Sequence, residues 1–114
     1  NSSTKEEAEQ MLLNLLMENI KGLDSIQKIM LKLSLPDQNN HYAPCIEHPN
    51  VIRVVALSGG YSREEANARL SRNQGMTASF SRALTEGLSA GQTDSEFNQK
   101  LDSTIDSIFQ ASIT

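Results

Sequence analysis

The chain has 114 residues, of which 38% are hydrophobic and 21% are charged, and its formal net charge is −4 at pH 7. This acidic balance argues against non-specific binding to nucleic acid or to an anionic membrane, because both require a basic patch. No apolar run approaches the ~18 residues of a membrane span, and the single cysteine, Cys45, excludes an internal disulfide. We expect a soluble, cytoplasmic domain or part of one, and a start at Asn1 fits a processed chain, an excised piece or a partial reading frame.

The first predicted element is an amphipathic helix of roughly 18 residues that ends near Gly22 and follows a polar loop. Ser3 and Thr4 are each followed three residues later by a glutamate, which predicts a capping box at the helix start. The next segment, Gln27–Leu35, alternates apolar residues with others and predicts a strand. A polar connection follows, with one or two helical turns around Tyr42–Glu47.

The chain then alternates strands with helices. Val51–Leu57 is a nearly continuous β-branched run, which predicts a strand covered on both faces in a parallel sheet. Ser62 and Glu65 form a capping-box pattern that opens a helix running to about Arg72. Met76–Ser81 is a third, weaker strand candidate because it is small and polar.

Two further helices are predicted after the third strand. Arg82–Leu88 has the length of one or two helical turns, and Thr93 with Glu96 caps a last helix. The residues expected to share the inward stripe of that helix are Phe97, Leu101, Ile105, Ile108 and Ser112. The order α-β-(α)-β-α-β-α predicts an α/β fold with a parallel sheet and right-handed crossovers.

Lys32 is the first residue with potential chemistry, since it lies within an apolar strand on the face opposite the leucines. Taken alone, it is most simply a lysine of an edge strand whose ammonium reaches water. The functional alternative is an amine in a drier site, where the free base attacks a carbonyl.

Two strand ends carry residues suited to an anion. Ser58, Gly59 and Gly60 follow the second strand, where glycines allow a tight turn whose amides face a phosphate. Ser79-Phe80-Ser81-Arg82 lies at the end of the third strand, where an arginine can hold a phosphate through two nitrogens while the serine amides point the same way. The simpler alternatives are an ordinary strand-to-helix turn and a solvated arginine.

Four residues have donor types that suit zinc: His41, Cys45, Glu47 and His48. Their spacing matches no compact zinc motif, and prolines interrupt any helix that would align them, so we expect no metal here. By contrast, one amine and two phosphate-binding segments fall on three successive strands of a parallel unit. Ligand sites of barrels gather at the carboxyl ends of the strands, and the combination suggests carbonyl chemistry on a phosphorylated substrate.

Three segments resemble class I fructose-1,6-bisphosphate aldolase, most closely its bacterial branch. IMLKLSLP at 29–36 looks like the Schiff-base strand of that family. HPNVIRVVALSGGYSREEAN at 48–67 is similar to its phosphate-binding strand and the following helix, and ASFSRAL at 78–84 to its last barrel strand. The resemblance extends over nearly the whole chain, from the first helix to Ala111.

The resemblance implies that residues 1–114 are the C-terminal part of a (β/α)8 barrel. Lys32 would be the Schiff-base nucleophile, and the C1 phosphate would be held by Ser58, Gly59, Gly60, the amide of Ser81 and the side chain of Arg82. The implied reaction is the reversible cleavage of fructose 1,6-bisphosphate to dihydroxyacetone phosphate and glyceraldehyde 3-phosphate, without metal or other cofactor. The implied partners are the sugar phosphate and either further copies of the chain or the missing N-terminal half of the barrel.

Length is the main departure from the family, since such a barrel needs roughly 250 residues. The acid/base carboxylates, a second active-site lysine and the other phosphate site of the family lie on earlier strands, and the three predicted strands here contain no Asp or Glu. We therefore expect the isolated chain to lack full activity. The alternative is an inactive module that only self-associates or binds phosphate.

Overall fold

The centre of the fold is a parallel sheet of three strands in the order β1-β2-β3. The computed structural model describes the backbone of residues 2–113 and the side chains of residues 4–113. The strands are β1 (Ile29–Ser34), β2 (Val51–Leu57) and β3 (Met76–Ala78), and both pairings are parallel. The predicted α/β class and the parallel sheet are thereby confirmed.

Helices precede, separate and follow these strands. Their bounds are α1 (Ser2–Ile20), α2 (Ala43–Ile46), α3 (Arg63–Ser71), α4 (Arg82–Thr85) and α5 (Asp94–Ser112). The element order is the predicted one, although α4 ends three residues before the predicted end at Leu88. None of the described helices combines the length and the apolar character that crossing a bilayer requires.

Two of the predicted helix starts are confirmed in detail. The Ser62 hydroxyl accepts a hydrogen bond from the Glu65 amide at 3.2 Å and caps α3. Thr93 and Glu96 form a complete capping box at the start of α5, with each side chain accepting from the backbone amide of the other. Local hydrogen bonding therefore defines both helix starts, as the sequence pattern predicts.

The start of α1 differs from its prediction. The helix begins at Ser2, so the predicted loop is wrong for residues 2–4, and Thr4 lies inside the first turn instead of capping it. Asn1 and the side chain of Ser3, which also entered that prediction, lie outside the described part of the chain.

One face of the sheet packs against the helices. It carries Leu31, Leu33, Val54, Ala56 and Met76, of which all but Leu31 are buried. The buried core continues from these strands into α3 through Ala66 and Leu70, as predicted, and into α1 through Ile20. Alternation in β1 therefore has the predicted sense, with the leucines turned toward the core.

The other face, called the open face below, is not covered by any of the described elements. Its residues are Met30, Lys32, Ser34, Arg53, Val55, Leu57 and Thr77, which the strand register places side by side. Met30 is 60% exposed, and Arg53 of β2, its neighbour in the register, is exposed as well. The prediction that β2 is covered on both faces is therefore wrong for this chain, because helices pack on one side only.

The third strand is shorter than predicted, since β3 ends at Ala78 and not at Ser81. One further interstrand hydrogen bond follows, from the Ser79 amide to the Ala56 carbonyl oxygen at 2.7 Å. Phe80 then turns into the core, and this turn ends the pairing.

The inward face of α5 also differs from the predicted stripe. Thr104 and Ala111 are its buried residues, with Ile108 partly buried, whereas Ile105 is 50% exposed and Phe97 lies at the surface. The small Thr104 and Ala111 side chains allow a close approach to α3 and β3. The helix is thus rotated by about one residue relative to the stripe of largest apolar side chains.

The molecule is extended for its length. Its radius of gyration is 16.2 Å, whereas a compact domain of this size has about 13 Å. Its principal extents are 52 × 36 × 22 Å.

A group of polar side chains joins α1 to the segment after β1 and to α3. This group, the Asp37 cluster, consists of Lys5, Glu9, Asp37, Tyr61 and Arg69. Asp37 Oδ1 accepts one hydrogen bond from Lys5 Nζ at 2.8 Å and another from Arg69 Nη1 at 3.0 Å. Lys5 Nζ also donates to Tyr61 Oη at 3.1 Å, and the Asp37 amide donates to Glu9 Oε1 at 3.0 Å. One carboxylate therefore connects three segments that are distant in sequence.

The cluster shifts the pKa values of Asp37 and Lys5 in the direction that keeps both side chains charged. The hydrogen bond from Lys5 is the main cause of the lowered pKa of Asp37, and Arg69 acts in the same direction. Burial lowers the pKa of Lys5, but the hydrogen bonds to Asp37 and Tyr61 and the charge of Glu9 outweigh it, so this pKa is raised.

We predict that Asp37→Asn lowers the free energy of unfolding by about 1–2 kcal/mol at pH 7, since charge-assisted hydrogen bonds are replaced by neutral ones. Because the pKa of Asp37 is lowered from 3.8, its contribution is complete above that pH and disappears as the pH falls through the folded-state pKa. Urea unfolding of both proteins between pH 7 and pH 3 tests this. A difference that stays constant over this range would contradict the assignment.

We also predict that the chain self-associates at high micromolar concentration, because the outer edges of β1 and β3 and the open face are uncovered. Light scattering should give a mass of at least two chains. Met30→Lys, on the open face, should shift the equilibrium toward the monomer, whereas Met11→Lys, on the exposed side of α1, should not. A compact monomer of the unmodified chain under these conditions would refute the prediction.

Candidate functional site

A cleft of about 300 Å³ lies at the carboxyl ends of the three strands. Its wall includes all five residues predicted to hold a phosphate: Ser58, Gly59, Gly60, Ser81 and Arg82. Ser34, Leu57 and Ser79 complete the wall. Residues from two strand ends 21 or more positions apart thus surround one space, as expected for a parallel sheet.

The turn after β2 forms one side of the cleft. The Tyr61 amide donates to the Ser58 carbonyl oxygen at 3.2 Å, which closes the turn over two glycines. Gly59 and Gly60 have φ angles of 68° and 83°, the positive pair typical of a type I′ turn. A Cβ on Gly60 would meet no atom within 4 Å, so the backbone angle and not a lack of space requires glycine.

The amides of this turn are available to a ligand. Within the described residues, the amides of Gly59 and Gly60 have no hydrogen-bond partner. The Ser58 side chain, largely buried at the cleft wall, likewise has no partner there. A turn with consecutive free amides is a favourable environment for an anion such as phosphate.

The opposite side of the cleft is the start of α4. Ser81 stands at the N-cap position without a side-chain capping bond, and Arg82 is the first residue of the helix. Arg82 is exposed and takes part in none of the ion pairs found among the described residues. Its full positive charge is therefore available to attract an anion into the cleft.

Lys32 does not belong to the cleft wall. It lies exposed on the open face of β1, beside Val55 of β2 in the register. Ser34, the next residue of β1 on that face, does line the cleft. At about 3.3 Å per residue, Lys32 begins roughly 7 Å below the cleft along the strand. The structure therefore brings together the residues predicted to hold a phosphate and leaves Lys32 on the adjoining surface.

Three of the four zinc-type residues occupy structural positions, whereas Glu47 is exposed at the C-cap of α2. His41 Nε2 lies 3.0 Å from the Glu9 carbonyl oxygen, and His48 Nδ1 accepts a hydrogen bond from the Asn50 amide at 3.2 Å. Cys45 is fully buried, and burial raises the pKa of its thiol. Among the side chains of residues 4–113, no group of three His, Cys, Asp or Glu is arranged to hold a metal ion.

The Asp37 cluster is the feature of the site that sequence reasoning missed. Tyr61, which ends the glycine turn, packs beneath the Arg69 guanidinium at 4.2 Å from the ring centroid. Only the Lys5–Glu9 spacing of four residues is a local signal of the cluster. Asp37 and Arg69 are 32 residues apart, so their contact depends on tertiary packing.

Comparison with known proteins adds independent information. No protein-family profile matches the chain. The class 1 fructose-bisphosphate aldolase of Synechocystis sp. is 61% identical over 112 residues, which cover 98% of this chain and 37% of that protein. The enzymes of the same name from Clostridium acetobutylicum and Porphyromonas gingivalis are each 52% identical, over 113 and 109 residues. These matches cover 99% and 96% of this chain, and 38% and 36% of the relatives.

The chain thus spans between 36% and 38% of the length of the curated relatives it matches. Identity of 52–61% over almost the whole chain confirms the resemblance that the three sequence segments indicate. The chain belongs to the class 1 fructose-bisphosphate aldolase family and corresponds to a C-terminal portion of the members it matches.

Proposed function

We propose that this chain carries the Schiff-base lysine and the C1-phosphate site of an enzyme that reversibly cleaves fructose 1,6-bisphosphate in glycolysis and gluconeogenesis. The products are dihydroxyacetone phosphate and glyceraldehyde 3-phosphate. The observation that carries the proposal is the single cleft lined by Ser58, Gly59, Gly60, Ser81 and Arg82, next to the strand face that bears Lys32. The names of the relatives support the same reaction class.

In this proposal the cleft binds the C1 phosphate through neutral and charged donors. The free amides of Gly59 and Gly60 and the Ser58 hydroxyl approach it from the β2 side. The Ser81 amide and the Arg82 guanidinium approach from the α4 side. Arg82 supplies the charge, because no described carboxylate pairs with it.

Lys32 performs the covalent step. Its neutral amine attacks the C2 carbonyl of the bound ketose to give a carbinolamine. A general acid then supplies one proton, the C2 hydroxyl leaves as water, and a protonated imine remains. That imine accepts the electron pair of the C3–C4 bond as the bond breaks, while a base removes the proton of the C4 hydroxyl. None of the three strands carries an Asp or Glu, and no carboxylate of the described residues lines the cleft, so the proposal assigns this base to a part of the enzyme outside this chain.

The proposed architecture follows from the unpaired edges of the sheet. β1 and β3 are the outer strands, and the open face carries Lys32 toward the side that the helices leave free. We place these strands in the C-terminal part of a (β/α)8 barrel, with the remaining strands supplied by an N-terminal half or by association with further copies. The closed barrel would bury the open face and dehydrate Lys32.

A second candidate function is an inactive module that binds phosphate or associates with itself. The specific observation in its favour is that the cleft is already formed in this chain, whereas no strand acid is present. This alternative shares the phosphate site but assigns no covalent role to Lys32. The two candidates therefore differ in one measurable reaction.

We predict that borohydride in the presence of dihydroxyacetone phosphate labels Lys32 slowly, and that turnover of fructose 1,6-bisphosphate by the isolated chain is absent or very low. Reduction traps the imine as a stable secondary amine, which peptide mass spectrometry locates. Lys32→Met should abolish the label. Lys28→Met is the matched control, since Lys28 lies just before β1 and its ammonium donates to the Pro49 carbonyl oxygen.

Adding the N-terminal part of a relative should restore turnover if the two parts assemble. Label at another lysine would contradict the role of Lys32. Robust turnover by the chain alone would contradict the requirement for an outside base.

We further predict that EDTA leaves the activity of the intact enzyme unchanged, because a protonated imine stabilises the carbanion without a metal. The measurement compares initial rates before and after dialysis against the chelator. Stoichiometric zinc or iron in a tag-free preparation, together with loss of rate on its removal, would be the opposite result.

A further inference from the structure

We infer that Tyr61 is a positioning residue, whose ring, held by Lys5 and Arg69, keeps the Gly59–Gly60 turn in the conformation that binds phosphate. This inference rests on the proposed phosphate site and names the residues that prepare it. Tyr61 is absent from the wall of the cleft itself, so its effect on an anion is indirect.

The ring of Tyr61 contacts the glycine turn. Tyr61 closes the turn through its amide, and its side chain folds back over it: a Cβ built on Gly59 would lie 3.6 Å from Tyr61 Cε2. The same Cβ would lie 4.0 Å from Cβ of Ser34 at the end of β1. The Gly59 α-carbon is therefore enclosed between the tyrosine ring and the neighbouring strand.

Lys5 and Arg69 hold the ring of Tyr61 in place. Lys5 Nζ donates to Tyr61 Oη at 3.1 Å. The guanidinium carbon of Arg69 lies 4.2 Å from the ring centroid, well within the range of a cation–π interaction. One contact holds the hydroxyl and the other holds the face, so the ring can neither rotate away nor tilt without losing one of them.

Asp37 in turn holds the two cations, Lys5 and Arg69, in place. Both donate to the same atom, Asp37 Oδ1, at 2.8 Å from Lys5 and 3.0 Å from Arg69. Lys5 also donates to the Leu35 carbonyl oxygen at 3.1 Å, directly after β1. The ring position is thus determined by α1, by α3 and by the end of β1 together.

This arrangement matters because two consecutive glycines are costly to order. Free of contacts, Gly59 and Gly60 would sample many backbone conformations. The conformational entropy lost when an anion orders them would then weaken binding. The tyrosine contact selects the conformation with positive φ at both residues before the anion arrives. Affinity for phosphate should therefore depend on a side chain that never touches it.

The test uses inorganic phosphate as the probe and follows the backbone amides of Gly59, Gly60 and Ser81 of the full chain by NMR at constant ionic strength. We expect Tyr61→Ala to weaken phosphate binding roughly tenfold, since it removes the ring and both its contacts. Tyr61→Phe keeps the ring and loses only the hydroxyl bond, so it should retain most of the affinity. Tyr42→Phe, in the other tyrosine of the chain, is the matched control with no expected change.

A second measurement separates positioning from a general loss of structure. Without phosphate, the Gly59 and Gly60 resonances of Tyr61→Ala should broaden through conformational exchange while the α5 resonances stay sharp. Saturating phosphate should sharpen them again. Arg69→Lys, which keeps the charge beside Asp37 but loses the planar contact with the ring, should reproduce the weaker affinity if Tyr61→Ala fails to fold.

The outcomes distinguish this inference from the proposed function. If phosphate shifts none of the three amides of the unmodified chain, the phosphate site is wrong and the role of Tyr61 falls with it. If the unmodified chain binds at these amides and folded Tyr61→Ala or Arg69→Lys binds equally well, the phosphate site stands and the positioning role is overturned.

Discussion

The arrangement of this molecule depends on one carboxylate oxygen, Asp37 Oδ1, which accepts hydrogen bonds from Lys5 of α1 and from Arg69 of α3. Helices cover only one side of this three-stranded sheet, and the other side faces water. The loops of the sheet therefore have few packing contacts that could hold them in place. Two charge-assisted hydrogen bonds to a partly buried carboxylate provide such a connection. They fix the segment after β1 relative to both helices, and through Tyr61 they extend to the turn after β2.

The two faces of the sheet differ: one packs against the helices, and the other carries the candidate nucleophile. The leucines of β1, with Val54, Ala56 and Met76, provide the core, whereas the opposite face carries Lys32 and remains exposed. The exposure of Met30, an apolar residue of that face, is a physical consequence. The same feature places the candidate nucleophile where a further layer of protein could enclose it.

The positive charges near the cleft fall into two groups with different roles. Lys5 and Arg69 are neutralised by Asp37, with Glu9 and Glu65 also close, and they organise the protein instead of attracting a ligand. Arg82 has no such partner among the described residues and stands at the mouth of the cleft. A chain with a net charge of −4 can therefore still offer a local positive potential to a phosphate.

The sequence by itself determined what short-range physics controls. The caps at Ser62 and Thr93, the alternation of β1 and the glycine turn after β2 follow from hydrogen bonds and backbone angles within a few residues, and the parallel order then brings Ser58 and Arg82 to one edge. The tertiary structure alone decided which surfaces meet. The partners of Asp37, the inward face of α5 and the exposure of β2 all depend on contacts between distant segments, and a local periodicity cannot specify which side chain lies opposite or whether any element covers a face.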